Sequence, residues 1–96
     1  MISTLLNVKA KQDLSSRAAA NITENLREIE TSNIYFRVLG GQINAKSFVG
    51  LLSLDIKQDE DFEIYIVSTD DVAATIDLEK LLRAIEPYCK TKLIKS

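Results

Sequence analysis

The sequence predicts an α+β fold: one mostly antiparallel sheet of four strands with helices packed on a single face. Three observations predict it. Several short segments alternate apolar and polar residues, the period of a half-buried strand. Two longer segments carry apolar residues at helical spacing. Their order is β-α-β-β-(short α)-β-α, with no internal repeat, linker or low-complexity run. Strands with one apolar face and helices with one apolar stripe pack most economically as two layers. A ferredoxin-like sandwich is the near competitor. It wants a full second helix where this chain offers only Ser47 to about Leu54.

The elements follow in order. Ile2, Thr4, Leu6, Val8 and Ala10 fall on one side of a first strand, residues 2–10. A "KQD" turn leads to a helix from about Ser16 to Glu30, which Ser15 or Ser16 can cap. Ala18, Ile22, Leu26 and Ile29 form its stripe. "IYFRVL" alternates again, Gly40-Gly41 reads as a two-residue hairpin signal, and "QINA" returns. Next comes "INAKSFVGLLSL", too short for an ordinary helix and interrupted by Gly50. "DIKQDED" is a charged turn, and "FEIYIV" is a strand with Phe62, Ile64 and Ile66 on one side. "STDD" caps a last helix that turns Ala74, Leu78, Leu81, Leu82 and Ile85 inward, and Pro87 stops it. "YCKTKLIKS" reads as a basic, frayed tail on a single domain of residues 1–96.

Composition excludes several function classes. Net charge is −2, which leaves no electrostatic footprint for nucleic acid or an anionic membrane. No apolar run approaches the ~20 residues of a membrane span. "MISTLLNVKAK" lacks the parts of a signal peptide, and the one cysteine, Cys89, cannot form an internal disulfide. Both point to a reducing, cytoplasmic compartment. With no histidine in the chain, histidine nucleophiles, Ser-His and Cys-His dyads and most zinc sites are removed. Asp59, Glu60 and Asp61 lack the spacing and glycine of a calcium loop. No metal and no cofactor is expected. Cys89 has lysines nearby that lower a thiol pKa, but no partner residue for catalysis.

The stretch "NAKSFVGLLSLDIKQDEDFEI" resembles the corresponding segment of HPr, the phosphocarrier of the bacterial sugar phosphotransferase system. In that family an Asn-x-Lys-Ser motif opens a short helix reading apolar-apolar-Gly-apolar-apolar-Ser-Leu. The resemblance covers about residues 2–86 and implies an HPr-like open-faced sandwich. "DLSSRAAANI" falls where the family has Gly-Leu-His-Ala-Arg-Pro-Ala-Ala. Leu14, Arg17, Ala19 and Ala20 agree with that pattern. Asp13 replaces the glycine, Ser15 the phosphorylated histidine, Ser16 the alanine and Ala18 the proline. A serine hydroxyl cannot stand in for imidazole here, because it has no activating base and its phosphoester would not pass the group onward. The resemblance is therefore to a non-carrier member, like the histidine-less regulatory paralogue Crh.

Candidate sites follow, each with a plainer alternative. Ser15, Ser16 and Arg17 are a helix cap with a solvated arginine, or an anion site at the helix's positive end, which Asp13 opposes. Ser47 is the N-cap of the short helix. It also occupies the position that resembles the regulatory serine phosphorylated by HPr kinase in Gram-positive relatives, and the two roles are compatible. Phe48, Val49 and Leu52 match partner-contacting positions of the family, with Arg17 and Lys46 as further partner-binding candidates; the alternative for the apolar ones is core packing. Phe48 and Leu52 share a helical face, with Arg17 expected at its rim near Ser47.

Three functions remain. The first is a regulatory protein of sugar uptake and carbon catabolite control, phosphorylated on Ser47 and binding HPr kinase/phosphorylase and a LacI-type regulator. The second is an HPr-fold interaction module unrelated to carbon control. The third, an enzyme or small-molecule-binding domain, is opposed by the missing histidine and by the lack of paired buried carboxylates or a glycine-rich phosphate loop.

Overall fold

The computed structural model describes residues 1–92. Eight elements follow in order: β1 (Ile2–Ala10), α1 (Ser16–Leu26), β2 (Ser32–Val38), β3 (Gly41–Asn44), α2 (Phe48–Ser53), β4 (Asp61–Ser68), α3 (Asp71–Ile85) and β5 (Cys89–Lys92). The sheet has five strands in the order β3-β2-β4-β1-β5, and every pairing is antiparallel. Alternation along each strand sends one set of side chains to the helices and leaves the other on an open face.

The register lines up the inward set. Ile43, Phe36, Ile64 and Leu6 face one another across β3, β2, β4 and β1. Ile34, Phe36, Ile64 and Ile66 are fully buried beneath the helices, and the rings of Phe36 and Phe62 lie 5.4 Å apart. α1 supplies Ala18, Ala19, Ile22 and Leu26, and α3 supplies Leu81, Ala84 and Ile85. The open face carries Leu5, Tyr35, Tyr65 and Val67, with the Arg37 guanidinium 6.0 Å from the Tyr65 ring centre.

Three features differ from what the sequence predicts. α1 ends at Leu26, not Glu30; Ile29 is still buried, but in the connection to β2 rather than in the helix. The hairpin loop is Leu39-Gly40, since Gly41 already pairs with Val38. Only Gly40 needs positive φ (87°), so one glycine suffices. The sheet has a fifth strand where a frayed tail was expected. Lys11 N–H donates to the Tyr88 carbonyl at 2.8 Å, which lays the chain beside β1, and Cys89 then pairs with Ala10. Two lysines hid the alternation of "CKTK": Cys89 and Thr91 turn in, while Lys90 and Lys92 turn out. Lys92 is tied to Asp61 at 2.8 Å, and Lys9 approaches the same carboxylate at 3.8 Å. The Lys92 hydrogen bond, with Lys9 adding, holds the Asp61 carboxyl below its usual value. Lys95 lies outside the described residues.

Cys89 also differs from expectation. It is buried, and burial pushes its thiol up to about 12, against the weaker opposing charge of Lys11. The lysines do not activate it.

Candidate functional site

α2 begins where β3 ends, through a tight turn. Ser47 N–H donates to the Asn44 carbonyl at 2.9 Å, and Lys46 N–H to the Asn44 side chain at 2.9 Å. Ser47 has extended backbone geometry, and its Oγ accepts the Gly50 N–H at 3.0 Å. This is an N-cap, satisfying one donor that the helix start leaves open. Gly50 has a definite reason to lack a side chain. A Cβ there would meet Ser47 Oγ at 3.0 Å and Ile43 Cβ at 3.3 Å. The glycine lets α2 sit directly on β3 while its N–H reaches the cap.

α2 divides into two faces. Leu51 is fully buried and anchors the helix. Val49 is 73% exposed and Leu52 36% exposed, so two apolar side chains stand in solvent on a six-residue helix. Phe48 is half-buried against the core. It borders a shallow hollow with Ala20, Thr23, Glu24 and Arg27 of α1 and its end.

That hollow corrects the expected neighbourhood. Arg17 does not line it; Arg27 and Glu24 do. Arg17 stands one turn before Ala20, the nearest lining residue of α1. The turn into α2 is tied to the connection that follows α1, where Lys46 is bonded. Lys46 also departs from its expected surface role. Its ammonium turns inward and donates to the carbonyls of Ile29 and Ser32. Two of the three ammonium donors are thereby used within the fold.

At the start of α1, Ser15, Ser16 and Arg17 are all exposed. Ser15 takes the N-cap position with extended geometry, yet its side chain makes no cap bond. The first turn therefore keeps donors without a side-chain acceptor. Asp13 is engaged elsewhere, accepting the Gln58 N–H at 2.7 Å. This ties the loop before α1 to the turn before β4, where Leu14 N–H also meets the Ile56 carbonyl at 2.9 Å. The arrangement holds two exposed hydroxyls and a guanidinium at a helix start, and no imidazole.

Asp77 escaped the sequence reading. It is 2% exposed on α3, inside a stripe read as apolar. Its position between Ile76 and Leu78 gave no signal, because its partners, Thr31 and Ser32, are remote in sequence.

Comparison with known proteins agrees with this architecture. The family model described as "PTS HPr component phosphorylation site" matches residues 2–84. The chain belongs to the HPr family of the phosphotransferase system, a family of carrier proteins rather than enzymes. Among solved structures, HPr-C-His from Thermoanaerobacter tengcongensis is similar at 24% identity and TM-score 0.66, over 90% of this chain and 92% of that one. The phosphocarrier protein HPr from Bacillus anthracis str. Ames is 26% identical, with TM-score 0.66, over 86% of this chain and 94% of that one. The histidine-containing phosphocarrier protein of Mycoplasma is 20% identical, with TM-score 0.65, over 90% and 93%. No curated protein matches significantly. No helix among the described residues is long and apolar enough to cross a membrane.

Proposed function

We propose that this chain is a non-carrier regulatory member of the HPr family, serving sugar uptake and carbon catabolite control in the cytoplasm. Phosphate is placed on Ser47 by an HPr kinase/phosphorylase, and the modified protein docks on a LacI-type regulator. The observation that carries this reading is a dissociation between two sites. The position for the phosphoryl-carrying histidine holds Ser15, whereas the Ser47 segment keeps its cap, its glycine and its exposed apolar residues. Val49 and Leu52, with the accessible edge of Phe48, form the docking face, and Arg27 and Glu24 flank Phe48. A phosphate on Ser47 would sit at the positive end of α2, where negative charge is favoured. Ser15, Ser16 and Arg17 form a second, anion-binding element at the start of α1.

The test is incubation with ATP and HPr kinase. Acid-stable phosphate is expected on the protein and on Ser15→Ala, and none on Ser47→Ala. No incorporation would sink the reading. It would leave an HPr-fold interaction module unrelated to carbon control, a reading favoured by the occupation of Ser47 Oγ as a cap.

A further inference from the structure

Residues 29–32, which join α1 to β2, are gripped from two sides. From α3, Asp77 accepts hydrogen bonds from the hydroxyls of Thr31 and Ser32, each at 2.5 Å. From the turn before α2, the Lys46 ammonium donates to the carbonyls of Ile29 and Ser32, the latter at 3.3 Å. Ser32 belongs to both sets. Its hydroxyl also meets that of Ser68 on β4, 2.6 Å away. Burying a carboxylate is costly unless hydrogen bonds and a compensating charge accompany it. Asp77 is held by the two hydroxyls, and the same Ser32 carries its carbonyl to the Lys46 ammonium.

The geometry points to Asp77 as a positioning residue for the docking segment Lys46–Leu52, acting through Ser32 and Lys46. Lys46 directly precedes the Ser47 cap, so its anchored ammonium adds a side-chain tie to the backbone bonds Ala45 N–H to Ile34 and Ser47 N–H to Asn44 that hold the start of α2. With residue 46 tied to the end of α1, Phe48 falls against Ala20, Thr23 and Arg27. Asp77 orients the hydroxyl of Ser32, and Ser32 presents its carbonyl to Lys46. Four elements thereby meet at one serine: α3, β2, β4 and the turn into α2. The functional meaning of this coupling rests on the docking role proposed above; the coupling itself does not.

The test is amide exchange in the intact protein. The Gly50 N–H reports the Ser47 cap directly, and Ile64, central in β4, serves as internal reference. Lys46→Met and Asp77→Asn are each expected to speed Gly50 exchange about tenfold relative to Ile64, the effect of losing one charge-assisted hydrogen bond. The double variant should be no faster than the faster single variant, and Lys46→Arg should stay near wild type. An unchanged Gly50 rate in Asp77→Asn, or effects that multiply in the double variant, would overturn the proposal. Should Asp77→Asn not fold, Ser32→Ala cuts the same link while leaving Asp77 bonded to Thr31. It must show the same local acceleration, and an unchanged rate there is equally fatal. These rates need no kinase and no partner. A failure to phosphorylate Ser47 would therefore defeat the functional reading without touching them.

Discussion

Two serines open helices in this molecule, and they are built differently. Ser47 is integrated: its hydroxyl accepts the Gly50 N–H, its own N–H is bonded to Asn44, and the residue before it is anchored through Lys46. Ser15 is merely placed: it has the backbone geometry of a cap and makes none of a cap's side-chain bonds. The second position holds an exposed hydroxyl, and the chain contains no imidazole. The first position keeps every feature that structure requires of it. The difference teaches that a serine at a helix start belongs to the framework only where its hydroxyl is bonded.

The largest effects should come from what lies under α2. Leu51→Ala removes a fully buried side chain and should cost about 2–5 kcal/mol of stability. Leu52→Ala, one position on and partly in solvent, should cost under ~0.5 kcal/mol. Phe48→Ala should fall between, about 1–3 kcal/mol, since its ring is half-buried. Urea melts of the three variants check this ranking. A Leu52 effect as large as that of Leu51 would mean that α2 has no free face to dock with.

A second measurement probes the strand that the sequence concealed. The Cys89 thiol is raised to about 12 by burial, above its value of 9.0 in an exposed setting. A raised pKa means that the native state holds the proton longer than the unfolded chain does. The stability this supplies is fully present below about pH 9 and is lost as pH rises toward 12. Compared with Cys89→Ala, the wild-type protein should lose up to about 1.4 kcal/mol more per pH unit in that window. Parallel pH dependences would place the thiol in water and detach β5 from the sheet.

Much of this was legible in the sequence because it is local. Alternation located β1, β2 and β4, and capping residues located α2 and α3. The Ser47 cap was readable because Ser47 and Gly50 are three residues apart. What escaped depends on distant partners. β5 pairs with the other end of the chain, and its lysines read as solubility rather than as an outward face. Asp77 is held by hydroxyls more than forty residues away. The inward turn of Lys46 escaped for the same reason: it reaches Ile29 and Ser32, contacts that no local pattern encodes.

The smallest effects concern the two serines themselves, and they test the comparison most directly. Ser47→Ala removes a cap bond and should cost about 1 kcal/mol. Ser15→Ala removes none and should change stability by less than ~0.3 kcal/mol. A Ser15 cost equal to that of Ser47 would erase the distinction. Function at Ser15 should be equally silent. With phosphoenolpyruvate and enzyme I, the protein should acquire no acid-labile phosphate, because no histidine exists to hold it. Ser15→His should restore little of this. Asp13 remains beside the site, bonded to Gln58, and an acidic neighbour disfavours an incoming phosphoryl group. Ala18, in the first turn of α1, also stands where the resembled pattern has proline. Ser15→His combined with Asp13→Gly and Ala18→Pro should label more strongly than Ser15→His alone. If the single change labelled fully, the surrounding loop would have kept its carrier geometry, and the contrast between the two serines would reduce to one side chain.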